Sequence, residues 1–130
     1  KSRNNTIELR MSADETAKRI KKAVTDSERF IAFDPENRPE VSNLLTLASL
    51  AQGRAPGEIA EEIGDGGGGK LKAVVTESLN EFFAPIRARR AELEADPGYV
   101  EKVLHEGNER ANEAANATLN EVREAMKMVY

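Results

Sequence analysis

The stretch GDGGGGKLK, Gly64 to Lys72, combines glycines and lysines, residue types that together cradle phosphate groups in nucleotide-binding loops. Gly64 and Gly69 bracket four residues and Lys70 follows, which is most of the G-x-x-x-x-G-K pattern of a P-loop. A P-loop also needs a strand before it and a Ser or Thr after its lysine, but Leu71 occupies that position and a helical pattern precedes the glycines. The pattern therefore favours a flexible turn between two helices over a nucleotide-binding P-loop.

Lys70 and Lys72 keep a weaker anion-binding role open. We expect both in the first turn of the helix after the glycines, where backbone N–H groups and the helix dipole favour negative charge. A second basic group precedes the segment AVTDSER, residues 23–29, which is a predicted helix end that carries mixed polar groups. Its members are Lys18, Arg19, Lys21 and Lys22. A helix end beside lysines suits the unpaired bases of an RNA loop, whereas the alternative is a solvated charged face.

The composition excludes several classes of chemistry. The chain has no cysteine and one histidine, His105, so disulfides, thiolate metal sites and His-based triads lack their residues. The formal net charge of −4 argues against a general nucleic-acid-binding protein, which relies on many phosphate contacts. No apolar run approaches the roughly 20 residues of a membrane span. We expect a cytoplasmic protein with no membrane segment, no metal site and no catalytic residues in this part.

The hydrophobic spacing predicts an all-α fold, an irregular bundle of about five helices. Ser12 and Glu15 form a predicted capping box that opens a helix over residues 13–25. Further helices are predicted to begin at Pro39, at Pro56, after the glycine run and at Asp96-Pro97. The last of these helices has one predicted apolar face, formed by Val100, Val103, Leu104, Ala111, Ala115, Leu119, Val122 and Met126.

Four stretches of the chain form a more specific pattern. They are KKAVTDSE, FDPENRPEVSNLLTLASLAQG, GKLKAVVTESLNEFFAPIRARRAEL and EGNERANEAANATLNEVREAM, which run from about Ile20 to Met126. In this order and spacing they resemble the C-terminal part of tryptophanyl-tRNA synthetases, which are class I aminoacyl-tRNA synthetases. Lys1 and Ser2 resemble the end of the family's KMSKS signature, although Arg3-Asn4-Asn5 follows here where Asp-Pro-Asn is common.

The resemblance implies a domain plan and a function. Residues 1–12 are expected to be the end of the KMSKS loop and a connector, and residues 13–130 a helical anticodon-recognition domain. The parent protein would be a tryptophan–tRNA ligase, a cytoplasmic homodimer that activates tryptophan with ATP and Mg²⁺ and charges tRNA(Trp). Because the chain begins at Lys1 rather than Met, we expect a fragment. The resemblance implies that this fragment lacks the Rossmann core, the HIGH-type signature and the tryptophan pocket, so we expect it to be inactive alone and to bind no cofactor.

The resemblance also implies site residues. Lys1 and Ser2 would belong to the loop that closes over ATP. The tRNA anticodon would be recognised by Asp26, Ser27, Glu28, Arg29, Lys70 and Lys72. Two alternatives stay open: a helical protein-interaction module without an RNA role, which would show no salt-sensitive tRNA binding, and the equivalent domain of a tyrosyl-tRNA synthetase, which amino-acid specificity would identify.

Overall fold

The structure is a computed structural model that describes residues 6–128, and the regular structure of these residues is entirely helical, as predicted. The described residues divide into two compact units, of which the first ends at Arg89 and the second begins at Arg90. No helix of the described part combines the length and the apolar character that a bilayer crossing requires. The elements are α1 (Ala13–Lys21), α2 (Pro39–Gln52), α3 (Pro56–Ile63), a 3-10 turn (Gly64–Gly66), α4 (Gly67–Ala95) and α5 (Pro97–Ala125).

Helix α1 begins as predicted and ends earlier than predicted. The backbone N–H of Glu15 donates to Ser12 Oγ at 3.2 Å and the N–H of Ser12 donates to Glu15 Oε2 at 2.8 Å, which confirms the capping box. The predicted end at residue 25 is wrong, because the N–H groups of Lys22 and Ala23 bond three residues back and close the last turn at Lys21.

The core of the first unit is formed by four helices and one loop residue. Pro39 and Pro56 open α2 and α3 at positions where the missing proline N–H costs no helical hydrogen bond, and α2 packs against α3. Ile31, in the loop between α1 and α2, is 1% exposed and belongs to this core. The other buried apolar residues are Ile20, Val41, Leu44, Leu45, Ala48, Ile59, Ala60, Ile63, Leu71, Val75 and Leu79.

Arg87 links the start of α1 to α4 by hydrogen bonds within the first unit. Its Nε–H donates to the carbonyl oxygen of Met11 at 2.9 Å, and its two terminal nitrogens donate to Asn80 Oδ1 at 3.0 Å and to Thr16 Oγ1 at 2.9 Å. Its guanidinium also lies 5.6 Å from the ring centroid of Phe83. These contacts fix the orientation of α1 against the helix that carries Lys70 and Lys72.

The second unit contains the end of α4 and helix α5. Asp96 caps α5 as predicted, since its carboxylate accepts a hydrogen bond from the N–H of Tyr99 at 3.1 Å. The predicted apolar face of α5 is not buried: Val100 is 41% exposed and Leu104 is 61% exposed. Within α5 the ammonium of Lys102 lies 3.8 Å from the Glu106 carboxylate, one helical turn away.

Candidate nucleic-acid interface

The turn after α1 is organised by an ion pair between Asp26 and Arg38. The Nε–H of Arg38 donates to Asp26 Oδ2, and an N–H of one terminal guanidinium nitrogen donates to Asp26 Oδ1. Both nitrogen–oxygen distances are 2.7 Å, so the pair is bidentate. The other terminal nitrogen of Arg38 donates to the carbonyl oxygen of Phe30 at 2.7 Å and lies 3.5 Å from the Glu28 carboxylate. One arginine thus holds three residues of the turn.

The same contacts set the charge state of the pair. The hydrogen bonds from Arg38 hold the pKa of the Asp26 carboxyl below its ordinary value, and the N–H of Glu28, which donates to Asp26 Oδ1 at 3.1 Å, acts in the same direction. In return, Asp26 raises the pKa of the Arg38 guanidinium. The Arg38 side chain is only 10% exposed and that of Asp26 is 31% exposed, so the pair is partly shielded from solvent.

Two backbone hydrogen bonds join this turn to the glycine run. The N–H of Gly67 donates to the carbonyl oxygen of Arg29 at 2.9 Å, and the N–H of Ile31 donates to the carbonyl oxygen of Gly64 at 2.9 Å. On the surface above them the guanidinium of Arg29 lies 3.8 Å from the Asp65 carboxylate, an exposed pair that adds little energy. The turn and the start of α4 therefore form one surface.

Backbone conformation explains the glycine at position 67, and close approach explains the glycine at position 68. Gly67 has a φ of +70°, a conformation that side chains rarely tolerate. A Cβ added to Gly68 would lie 2.8 Å from Thr25 Oγ1, closer than real Cβ atoms approach. The glycine run thus differs from the flexible turn that the sequence favoured, because Gly67, Gly68 and Gly69 belong to α4 and two of them pack against the turn after α1. A helix, α3, precedes the run, which agrees with the rejection of a P-loop.

Lys70 and Lys72 each reach the carboxyl end of another helix. Because α4 begins at Gly67, Lys70 is its fourth residue and Lys72 its sixth, so Lys72 lies beyond the first turn where we expected it. Lys72 Nζ is 3.4 Å from the carbonyl oxygen of Lys21 at the end of α1. Lys70 Nζ is 3.4 Å from the carbonyl oxygen of Ile63 at the end of α3. Both positions place a cation at the negative end of a helix dipole.

Five of the six predicted tRNA-contacting residues present polar groups on the turn or on the start of α4. Ser27, Glu28 and Arg29 are exposed on the turn, whereas on α4 Lys70 is exposed and Lys72 is half-buried. Asp26 differs, because both of its carboxylate oxygens accept hydrogen bonds from Arg38. The predicted ATP-binding residues Lys1 and Ser2 lie outside the described residues.

The described residues offer little for metal or acid–base chemistry. Residues 6–128 contain no cluster of three or more His, Asp or Glu side chains that could hold a metal ion. His105 is exposed on α5. The surface formed by the turn and the start of α4 instead presents a hydroxyl, a carboxylate and three cations, groups that bind phosphates and the edges of unpaired bases.

Comparison with known proteins shows the family of the chain. The family model described as tRNA synthetases class I (W and Y) matches residues 1–84, about two thirds of the chain. The chain belongs to this family of class I synthetases. The resemblance that the sequence motifs indicated is thereby confirmed.

The relatives of this synthetase chain described below are all tryptophan–tRNA ligases. A tryptophan–tRNA ligase of Nostoc sp. is 40% identical over 120 residues, 92% of this chain and 36% of the relative. The corresponding ligase of Corynebacterium glutamicum is 43% identical over 107 residues, 82% of this chain and 31% of the relative. The chloroplastic/mitochondrial ligase of Arabidopsis thaliana is 36% identical over 125 residues, 96% of this chain and 31% of the relative. The chain spans about a third of the length of the curated relatives that it matches.

Sequence reasoning missed two residues that shape this synthetase surface. Arg38 stands in a loop before Pro39, and its pairing with a residue twelve positions earlier leaves no local pattern. Thr25 gave no signal either, since only the folded chain shows that it requires glycine at position 68. The run of four glycines was the one available signal, because such a run accompanies close approach of two backbones as well as flexibility.

Proposed function

We propose that this chain is the anticodon-recognition part of a tryptophan–tRNA ligase. The observation that carries the proposal is the junction of two segments that are about forty residues apart in the sequence: the turn of residues 26–29 and the start of α4, joined by the hydrogen bond from Gly67 N–H to the Arg29 carbonyl oxygen. The names of the relatives support tryptophan as the amino acid.

The turn supplies the groups that would read bases. The Glu28 side chain is 70% exposed and can accept a hydrogen bond from a base amino group, while the Ser27 hydroxyl can donate or accept. Arg29, 78% exposed, can contact a phosphate or stack on a base. Asp26 supports these residues by its bidentate bond to Arg38, so its role is to position the turn.

The two lysines of α4 supply positive charge for the RNA backbone. An ammonium group carries three N–H donors, so Lys72 can bind a phosphate or a base edge while it remains at the end of α1. Lys70 can act in the same way from the end of α3. Such contacts give a few local phosphate interactions, which a domain with a net charge of −4 can accommodate.

The proposal extends to the whole protein that contains this chain. That protein would activate tryptophan with ATP and then esterify it to tRNA(Trp), as a homodimer in the cytoplasm. Lys1 and Ser2 would belong to the loop that closes over ATP. Mg²⁺ would accompany ATP outside the described residues, which provide no metal site. The names of the relatives and their greater length support this assignment.

The alternative, a protein-interaction module, has one observation in its favour. Helix α5 exposes apolar side chains along its length, among them Leu104 and Leu119. Binding to tRNA that weakens as salt rises supports the RNA role, because released counterions dominate that dependence. A protein-interaction module would show no such binding.

The Lys72→Ala variant of the full-length protein tests the proposed function. We expect charging of tRNA(Trp) to lose about tenfold in kcat/KM, the effect of one charge-assisted contact, while tryptophan-dependent pyrophosphate exchange is unchanged. Lys102→Ala on α5 is the control, since it removes the same charge from a lysine that pairs with Glu106 on its own helix and not with the end of α1. Equal losses of charging and exchange in Lys72→Ala would mean that Lys72 is structural and would contradict its role at the RNA.

A further inference from the structure

Phe30 exposes an aromatic ring from the tightly held turn. The residue is 61% exposed although the next residue, Ile31, is 1% exposed and part of the core. A single exposed apolar residue is ordinary on a protein surface and indicates nothing by itself. The informative feature is the backbone that carries this ring.

Three consecutive residues of this backbone are fixed by partners distant in the sequence. The carbonyl oxygen of Arg29 accepts from Gly67 N–H at 2.9 Å, that of Phe30 accepts from Arg38 at 2.7 Å, and Ile31 N–H donates to Gly64 at 2.9 Å. The Arg38 side chain is itself largely buried and doubly bonded to Asp26. The Phe30 ring therefore sits on a rigid support and keeps only its two side-chain torsions free.

Of the other exposed phenylalanines, Phe33 is less exposed, at 39%, and Phe82 differs in its packing. Phe82 is 49% exposed, but its ring packs edge-to-face on Phe83 with 5.4 Å between centroids. Phe30 makes no such ring pair within residues 6–128. A rigid aromatic ring that has no aromatic partner of its own can accept a flat partner at little entropic cost.

The surroundings of Phe30 select the kind of partner. Arg29 precedes it with a guanidinium that is 78% exposed, and the hydrogen bond from Gly67 ties the same turn to the helix of Lys70 and Lys72. Aromatic rings placed among cations are the means by which proteins bind single-stranded nucleic acids, since every base has a face that can stack. We propose that Phe30 is a stacking platform for an unpaired base of the tRNA anticodon loop, an inference that rests on the proposed function.

Phe30 and its neighbours in the turn would have different roles in binding. Stacking on Phe30 is tolerant of base identity and supplies affinity, whereas the Glu28 carboxylate and the Ser27 hydroxyl can distinguish base edges. Loss of the ring should therefore weaken binding to tRNAs of any anticodon sequence by a similar factor. Loss of Glu28 should change the preference among them.

Binding of a tRNA(Trp) transcript to the full-length protein tests the platform. We expect Phe30→Leu to weaken the Kd by about tenfold, as the removal of one base–aromatic stack does, and Phe30→Tyr to retain the wild-type affinity. Leu50→Ala on α2 is the control for loss of an exposed apolar side chain, because Leu50 is 73% exposed. A transcript with 2-aminopurine in the anticodon loop adds a direct readout, since stacking on the ring quenches its fluorescence.

The outcomes separate this inference from the proposed function. Wild-type affinity and undiminished quenching in Phe30→Leu, in a protein whose binding still depends on Lys72, would overturn the platform and leave the proposed function intact. A wild-type protein that does not bind the transcript would overturn both. An equal loss in Phe30→Tyr and Phe30→Leu, with unchanged thermal unfolding, would also overturn the platform, because a tyrosine ring stacks as well as a phenylalanine ring.

Discussion

The turn of residues 26–29 and helix α5 both present side chains to solvent, but they are held in different ways. In the turn, Arg38 and Gly67 hold the backbone through the carbonyl oxygens of Phe30 and Arg29, which lie eight and 38 positions earlier in the sequence. In α5, Lys102 and Glu106 form a local pair, one helical turn apart. The turn is therefore a product of the tertiary fold, whereas α5 follows from its own sequence.

This difference bears on how each region could bind a ligand. Exposed groups on a backbone that the fold fixes are already ordered when a ligand arrives, so little conformational entropy is lost on binding. Exposed groups on a helix such as α5 share one face by periodicity, which favours contact with an extended apolar surface instead. The four predictions below test the contrast, from the largest expected effect to the smallest.

Replacement of Arg38 should have the largest effect. Arg38→Ala removes the hydrogen bonds to Asp26 and to the Phe30 carbonyl oxygen from a side chain that is only 10% exposed. We expect the free energy of unfolding in urea to fall by about 2–3 kcal/mol, the usual cost of breaking a largely buried polar network.

Arg54→Ala is the control for Arg38. Arg54 also pairs with carboxylates, at 2.9 Å from Glu62 and 3.9 Å from Glu58, but its side chain is 43% exposed. We expect a change of about 0.5 kcal/mol or less from these exposed pairs. Similar losses in the two arginine variants would mean that burial of Arg38 contributes nothing special to the turn.

Substitutions within the glycine run should have opposite signs. Gly68→Ala places a Cβ 2.8 Å from Thr25 Oγ1, and threonine adjusts poorly because its side chain is branched at Cβ. We expect a loss of about 1 kcal/mol in the free energy of unfolding. Gly69→Ala meets nothing within 4 Å and lies in a helix, so we expect a gain of about 0.5 kcal/mol.

The partner of Gly68 provides the decisive variant. Thr25→Ala removes Oγ1, the atom closest to the new Cβ, and leaves the Cβ of residue 25 at 3.3 Å, so the double variant Gly68→Ala, Thr25→Ala should recover much of the stability that Gly68→Ala loses. Thermal unfolding of the wild type, the two single variants and the double variant completes this double-mutant cycle. A loss in Gly68→Ala that persists unchanged in the double variant would place its cause elsewhere than at Thr25.

Acid should weaken the turn through Asp26. Its carboxyl pKa is lowered chiefly by the hydrogen bonds from Arg38, so in acid the unfolded chain binds protons at this group more readily than the folded chain does. The stability that the carboxylate contributes is full above about pH 4 and is lost as the pH falls through the folded pKa. Glu15 and Asp34 have lowered pKa values as well, from hydrogen bonds to Ser12 and Asn37, and act in the same direction.

The Asp26→Asn variant isolates this contribution. We expect it to be less stable than the wild type at pH 7 and to lose less stability between pH 5 and pH 2, because the titrating group is gone while Glu15 and Asp34 remain. Melting temperatures across this range measure the effect. A slope equal to that of the wild type would show that Asp26 does not titrate abnormally.

The sequence predicted the helices better than it predicted the site. Capping at Ser12 and Asp96, the prolines that open α2 and α3, and the all-α class all follow from patterns that span a few residues. Such local signals are strong because the helix bonds they describe are themselves local. The end of α1 was misplaced by four residues, because the N–H groups of Lys22 and Ala23 bond three residues back and close the helix at Lys21.

The site depended on contacts that no local pattern records. The motifs suggested Asp26 and Lys72 as contact residues, and the structure brings their segments together, but nothing in the sequence indicated that Arg38 engages both oxygens of Asp26. The contacts of Arg87 with Met11 and Thr16, more than seventy positions earlier, likewise leave no local pattern. Residue type alone does not distinguish an arginine that stabilises the fold from one that binds a ligand.

The smallest effect should come from α5. Leu104 is 61% exposed, so Leu104→Gln should change the free energy of unfolding by about 0.5 kcal/mol or less. Leu71→Ala, at a site with no exposed surface, should by contrast lose about 2–5 kcal/mol. A loss above 1 kcal/mol in Leu104→Gln would show that this residue is buried in solution. A loss that grows with protein concentration would assign the burial to contact between chains, because only an association equilibrium depends on concentration. In either case α5 would join the turn as a region shaped by tertiary contacts, and the contrast between the two regions would no longer hold.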